Sequence, residues 1–423
     1  MQIKKKFGNI NPFGGINFIH NTILKSGLKG KIDRFLGMRP AQADYSYSDV
    51  LLSLFYSQYI GGSCLEDVKE LKEHLGNKSC IKICSPDVIG DVCDKLKTPN
   101  EVYTSKNDVR HEFNVNIRAN ELLTEVNVYT GMLKAGYGYT MDYDNIALEN
   151  EKYDSTRTYK MFYGYQPGVA FIGKHPVYIE GRNGNSNAKY KMEETLERCF
   201  SIMKKKGIKI EHFRSDCAAY QKGVIQNAEL NAKYFYIRAM ASADLYERCK
   251  NIEKWEKIDI NDNEFEIGEI IYSPFGEEKT YRVVVTRKLR KDKQIDLYSE
   301  TAYDYYGILT NNYQMTAKDV LIFYNNRAAA EPNFDILNND FNWSHLPFSF
   351  LNQNTVFMIL SAISLTIFEW VKKLYSEKIN FVSPTMRMKR FINKFITVPV
   401  KWIKQARQMV LVIYTEKKYE LLL

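Results

Sequence analysis

Between Tyr137 and Asp144 the chain alternates: Tyr137, Tyr139, Met141 and Tyr143 fall on one side, Thr140, Asp142 and Asp144 on the other. A period of two is that of a half-buried strand, and at about 3.4 Å per residue it sets the two aspartates about 7 Å apart on a single face. "GVAFIG" and "HPVYIEG" follow as further strands, with a turn at "RNGNSN". "MEETLERCFSIMKKKG" has the apolar spacing of an amphipathic helix and stops at Gly207. "IKIEHFRSDCAAY" is a strand that runs into Asp216, and "YFYIRA" is another.

Upstream, the first 130 residues predict mainly short helices. "YSYSDVLLSLFYSQYIGG" has helical spacing with a Gly-Gly stop, and "SPDVIGDVCDKL" opens with Ser85 as N-cap and Pro86 at the first helical position. Such helices suit a helix-turn-helix-like DNA reader. From about Leu245 to Thr316 the texture is charged and strand-rich ("FEIGEIIYS", "TYRVVVTRKLRK", "QIDLYSE"), which predicts a β insertion within a mixed α/β domain. A helical region resumes at "TAKDVLIFYNNRAAAE".

Length and composition narrow this picture. A chain of 423 residues with 45% hydrophobic and 26% charged residues is an ordinary globular protein of about two to four domains. No secretory signal is expected, and the most apolar stretch, Thr355 to Phe368, predicts a buried helix rather than a bilayer span. Seven cysteines without paired spacing suit a reducing cytoplasm. His74, Cys80, Cys84 and Cys93 lie close enough in sequence to raise a zinc site, but without a Cys-x-x-Cys pair buried thiols are the better reading. From Val371 to Leu423 there are 12 of the 59 basic residues and 3 of the 50 acidic ones, leaving 47 of each upstream. That basic C-terminal segment with interleaved aromatics predicts an amphipathic helical stretch whose basic face meets a polyanion, bulk water or a membrane surface.

Three acidic positions then stand out: Asp144 with Asp142 beside it, Asp216, and Glu331, separated by 72 and 115 residues. Carboxylates brought together from distant segments suit two-metal phosphoryl transfer, because hard oxygen ligands hold Mg²⁺ or Mn²⁺ and the cations offset the clustered charge.

The stretch Tyr324-x-x-Arg327-x-x-x-Glu331, preceded by "MDYDNI" and "FRSDCAAY", resembles bacterial insertion-sequence transposases of the DDE, RNase H-like type. The resemblance implies an RNase H-like mixed-sheet core. It also implies cut-and-paste transposition: metal-dependent cleavage at transposon ends and strand transfer into target DNA. Asp144, Asp216 and Glu331 would hold about two Mg²⁺ or Mn²⁺ ions. Asp142 competes for the first role, and the resemblance favours Asp144 because the family's first acid commonly precedes a small polar residue, here Asn145. Tyr324 and Arg327 would contact DNA phosphate. The partners implied are double-stranded DNA and a second copy of the chain in a synaptic complex, in the bacterial cytoplasm at the nucleoid, with no membrane. Two alternatives stay open: an inert DNA-binding protein of transposase descent, and a two-metal nuclease without strand transfer.

The chain departs from the family pattern at two places. Asn338 stands where the extended motif carries Lys, and Pro332 follows the glutamate. The proline disfavours helical geometry at Glu331 and predicts a helix junction there.

Further DNA contacts are expected from Arg182, Asn183, Asn185 and Lys189, from Arg157 and Lys160, from Trp255 stacking on a base, and from a basic tip of Lys288, Arg290, Lys291 and Lys293. The expected organisation is a helical N-terminal DNA-binding domain (1–130), a first core part (131–245), the β-rich insertion (246–316), a second core part (317–375) and a basic helical C-terminal segment (376–423).

Overall fold

The computed structural model describes residues 3, 8, 10–75, 81–260, 263–276, 279–290, 302–327 and 331–423, with the side chain of Glu331 outside that description. Among the described residues six α-helices come first: α1 (Gly15–Lys25), α2 (Leu28–Leu36), α3 (Tyr47–Tyr59), α4 (Val68–Leu75), α5 (Pro86–Leu96) and α6 (Ile117–Tyr129). Ser46 caps α3 in a capping box with Asp49, and Pro86 opens α5 as its first residue.

Between α5 and α6 the strands β1 (Glu101–Thr104) and β2 (Arg110–Asn114) form a hairpin that the helical reading of 1–130 did not include. The core strands follow: β3 (Gly138–Asn145), then short β4 (Leu148–Glu149), β5 (Thr156–Arg157) and β6 (Tyr163–Tyr165), then β7 (Gly168–Ile172) and β8 (His175–Arg182). After α7 (Met192–Lys205) come β9 (Lys209–Ser215), α8 (Lys222–Asn231), β10 (Ala232–Arg238) and α9 (Ala243–Lys250). The insertion supplies β11 (Glu256–Ile260), β12 (Asn263–Tyr272), β13 (Tyr281–Leu289) and β14 (Tyr303–Thr310). The expected strand at "QIDLYSE" lies outside the described residues.

Among the described residues eleven strands join one mixed sheet in the order β1-β2-β8-β7-β3-β9-β10-β14-β13-β12-β11. The α/β class with a β-rich insertion in the core is therefore as expected. β3 is antiparallel to β7 and parallel to β9, and β9 is parallel to β10. The insertion does not stand apart, since β14 pairs with β10 and continues the sheet.

The alternation in β3 does what its pattern requires. Met141 and Tyr143 join the core packed under α7 and α8, while Asp142 and Asp144 project from the opposite face. The other large core packs α1–α6 against α12 (Leu351–Ser376) and includes Val169, Phe171 and Ile179 from β7 and β8. By length and composition α12 could cross a membrane, and its apolar window is buried inside the protein. At Gly181 a Cβ would lie 1.9 Å from Thr355 Oγ1, so glycine is what lets α12 approach β8 this closely.

Two junctions bear on function. α10 (Ala317–Asn325) and α11 (Glu331–Asp340) are separate helices, so Glu331 stands at a helix start with Pro332 in the first turn. The C-terminal segment is not the expected helix. After the short α13 (Met388–Phe391) and a π-turn (Ile392–Ile396), β15 (Val400–Gln405) and β16 (Gln408–Ile413) form a hairpin. Ala406 and Arg407 make its turn with φ of 48° and 68°. Period-two apolar positions (Val400, Trp402; Leu411, Ile413) outweigh the basic residues among them.

The helical core also carries an acid-sensitive group. His20 is buried and its Nδ1 lies 2.9 Å from Tyr56 Oη. Burial, aided by the Lys29 charge, pushes the imidazole down to about 4. Native His20 thus stays neutral through a range where the unfolded imidazole takes a proton near its ordinary pKa of about 6.5. Its contribution is complete above that value and is lost as pH falls toward about 4. Chemical denaturation at about pH 5 should give a lower midpoint than at about pH 7.5, and His20→Gln should shrink the difference.

Candidate functional site

The site forms where two parallel strands end side by side. β3 and β9 pair with Asp142 opposite Arg214 and Tyr143 opposite Ser215. One further step sets Asp144 beside Asp216, at the carboxyl ends of the strands, the usual place for a ligand in such sheets. The two neighbouring aspartates therefore have different fates. Asp142 is buried and takes a two-pronged ion pair from Arg214, Nε to Oδ1 at 2.6 Å and Nη2 to Oδ2 at 2.8 Å. Asp144 is half-buried and faces a cleft of about 620 Å³ that Asp216 also lines.

Burial pushes the Asp144 carboxyl above its usual range, and the Asp216 charge adds to this while Arg327 opposes it. Asp216 itself caps the turn that follows β9, accepting from Ala218 N–H at 3.0 Å.

α10 is pinned across these strand ends by its last residues. Arg214 donates to Phe323 O and its guanidinium lies 4.8 Å from the Phe323 ring centroid. Tyr324 is buried and its hydroxyl donates to Ser215 O at 3.1 Å. Arg327 then reaches Asp144 Oδ2 at 2.9 Å. The expectation that Tyr324 touches phosphate is corrected: its hydroxyl is spent on fixing α10 to β9.

α11 is held on another side, by Asn333 Nδ2 donating to Gly173 O at 3.0 Å and by Phe334 set edge-on to Phe171. The Glu331 side chain lies outside the described residues.

Arg182 also departs from expectation. It ends β8 with no exposed surface, donating to Thr195 Oγ1 at 2.6 Å and Tyr190 O at 3.0 Å and pairing with Glu180 at 3.3 Å. Glu180 also accepts from Tyr178 and Arg198, so this is a structural network inside the core. The turn expected at "RNGNSN" begins only at Gly184, after Asn183 has bridged to Tyr165.

The other expected contacts divide in two. Arg157, Asn185 and Lys189 line the cleft, Lys160 is exposed beside it, and Asn183 is buried. Trp255 is half-buried with the Arg287 guanidinium 4.1 Å over its ring, so that face is already covered. Arg290 pairs with Asp304, Lys288 is exposed near Phe265, and Lys291 and Lys293 lie outside the described residues.

The donor chemistry of the cleft fits a hard cation. Two carboxylates share a partly desolvated floor, where like charge favours a bound cation. Among the described residues no three ligating side chains converge, so a complete site needs a further donor. The zinc cluster is not assembled among the described residues either: Cys84 and Cys93 are buried thiols, His74 packs on Phe13, and Cys80 lies outside them.

A family model described as transposase DDE domain, group 1, matches residues 142–422. It begins at the first of the two aspartates and takes in Asp216, the α10–α11 junction and α12. A search of curated proteins found no match. Among solved structures, a piggyBac transposase synaptic complex with hairpin DNA is similar with a TM-score of 0.43 and 10% identity, over 91% of this chain and 79% of that one. The Mos1 strand transfer complex is similar with a TM-score of 0.18 and 14% identity, over 49% of this chain and 63% of that one.

Proposed function

The chain belongs to the transposase family of the DDE domain, group 1, and from that premise we propose that it cuts DNA at the ends of an insertion-sequence element and joins them to target DNA. The observation that carries the reading is that Asp144 and Asp216, each one step past the paired Tyr143 and Ser215, line the floor of the same open cleft. Glu331, at the start of α11, is the proposed third acid.

Bound Mg²⁺ or Mn²⁺, two ions in this proposal, would activate the attacking oxygen and stabilise the leaving one. The protein's own share is to hold charge and position. Asp144 at the end of β3 and Asp216 just past the end of β9 offer oxygen donors positioned by the sheet. Arg214 takes no part in that chemistry; by tying Asp142 to Phe323 it sets the end of α10. Arg327 neutralises Asp144 in the absence of substrate, and its planar guanidinium suits a phosphate once that carboxylate is otherwise engaged. Two copies of the chain would bring two ends together.

The test is incubation of end-bearing DNA and target DNA with Mg²⁺. Cleaved ends covalently joined to target are the expected product. Cutting without joining would leave the simple nuclease, and binding without cutting would leave the inert protein.

The basic residues should separate as well. Lys160→Ala should lower the salt dependence of DNA binding by about one phosphate contact with the fold intact. Arg182→Ala should instead lower the melting temperature, because it leaves Glu180 partly uncompensated in the core. Binding measured over a salt series, with melting curves alongside, checks both.

A further inference from the structure

The rim of the cleft carries aromatic surface that none of these steps uses. β5 and β6 pair Arg157 with Tyr163, and residues 158–162 turn between them. The turn is closed from within: the buried Thr158 donates to Phe162 O from its N–H at 2.8 Å and from its hydroxyl at 2.9 Å. Met161 N–H donates to Thr158 O at 3.0 Å, and Met161 has φ of 72°, a left-handed conformation that costs a side-chain-bearing residue energy.

The large side chains of this segment face outward. Tyr159 is 68% exposed, Met161 66% and Tyr163 60%. Core packing does not ask for this arrangement, since the turn leaves its apolar surface in water.

The rim is also fixed relative to the acids. Asn185 N–H donates to Thr156 Oγ1 at 2.9 Å, and a Cβ at Gly184 would lie 2.2 Å from Thr156 O, so the turn is held tightly against the end of β8. Arg157, Thr158 and Tyr159 line the same cleft as Asp144 and Asp216. The Lys160 ammonium lies 5.8 Å from the Tyr159 ring centroid.

We propose that Tyr159, with Met161 beside it, is a stacking platform for an unpaired nucleobase on the DNA strand whose phosphate reaches Asp144 and Asp216. The inference rests on the DNA-cleaving reading above. A flat phenol and a thioether accept the face of any base, and Arg157 and Lys160 supply the positive charge that a flanking phosphate requires. A fully paired duplex offers no free base face, so the platform distinguishes opened from closed DNA.

The probe is a forked duplex with 2-aminopurine in its unpaired arm, titrated with the full chain and followed by base fluorescence and by anisotropy. The wild type should quench the base to saturation. Tyr159→Ala should lose most of the quenching and bind the fork about 10-fold more weakly, while Tyr159→Phe keeps both. On a fully paired duplex of the same sequence the three proteins should bind alike. Equal quenching and equal fork affinity for the wild type and Tyr159→Ala would overturn the platform and leave the DNA-cleaving reading intact. A wild type that binds neither DNA overturns that reading, and the platform with it.

Discussion

Asp216→Asn should abolish cleavage of end-bearing DNA, by about 1000-fold or roughly 4 kcal/mol of transition-state stabilisation, with little change in melting temperature. The amide keeps the size of the carboxylate, and its oxygen can still accept from Ala218 N–H, so the turn after β9 should survive. What it loses is the negative charge that a cation on the cleft floor needs. Asp144→Asn should lose activity to the same degree. Turnover and thermal melting, measured on the same preparations, check the pair. A mutant that cuts normally would remove Asp216 from the chemistry.

The opposite pattern is expected two residues away. Arg214→Met strips Asp142 of its buried partner and should cost about 3–5 kcal/mol of stability, because a carboxylate then stands desolvated and unpaired. The ion pair is nearly closed to water, with side-chain exposures of 9% and 6%. The same substitution removes the donor to Phe323 O, so the end of α10 should loosen with it. Adding Asp142→Leu to Arg214→Met should recover much of the loss, since an apolar pair of similar bulk carries no charge to desolvate. Equilibrium denaturation of the two variants decides this. Identical midpoints for Arg214→Met and the wild type would make the pair incidental.

These two results would separate Asp142 from Asp144, which strand periodicity cannot do. A period of two assigns both to one face and says nothing of what each meets there. A signal was nevertheless present. "DYD" and "RSD" carry charged residues at the same two-residue spacing, and two parallel strands in register must pair Asp142 with Arg214 when Asp144 meets Asp216. That register is a tertiary fact, which neither segment specifies alone.

The core strands, the α7 helix with its stop at Gly207, and the break before α11 were legible because each depends on local chemistry. Gly207 takes φ of 69°, and the proline after Glu331 falls in the first turn of a new helix. Arg182 was misread for the converse reason. Its neighbours look like a turn, while Thr195, which takes its hydrogen bond, sits on α7 and is joined to it only by folding. Glu180 two residues earlier, on the same face of the strand, was the available clue. The C-terminal hairpin was hidden by its lysines, whose charge suggested a helix facing a polyanion. The alternation of Val400 and Trp402 gives the strand. The contacts that the Tyr324 hydroxyl and the Arg214 guanidinium donate to backbone oxygens had no sequence signal at all, because a carbonyl is present at every residue.

The claim on which the rest depends is that Asp144, Asp216 and Glu331 share divalent cations. Anomalous scattering at the manganese edge, from crystals grown with Mn²⁺ and a short end-bearing duplex, tests it most directly. The expected result is strong peaks within coordination distance, about 2.0–2.6 Å, of oxygens from all three side chains. Peaks elsewhere, or a Glu331 carboxylate turned away from occupied metal on Asp144 and Asp216, would contradict it.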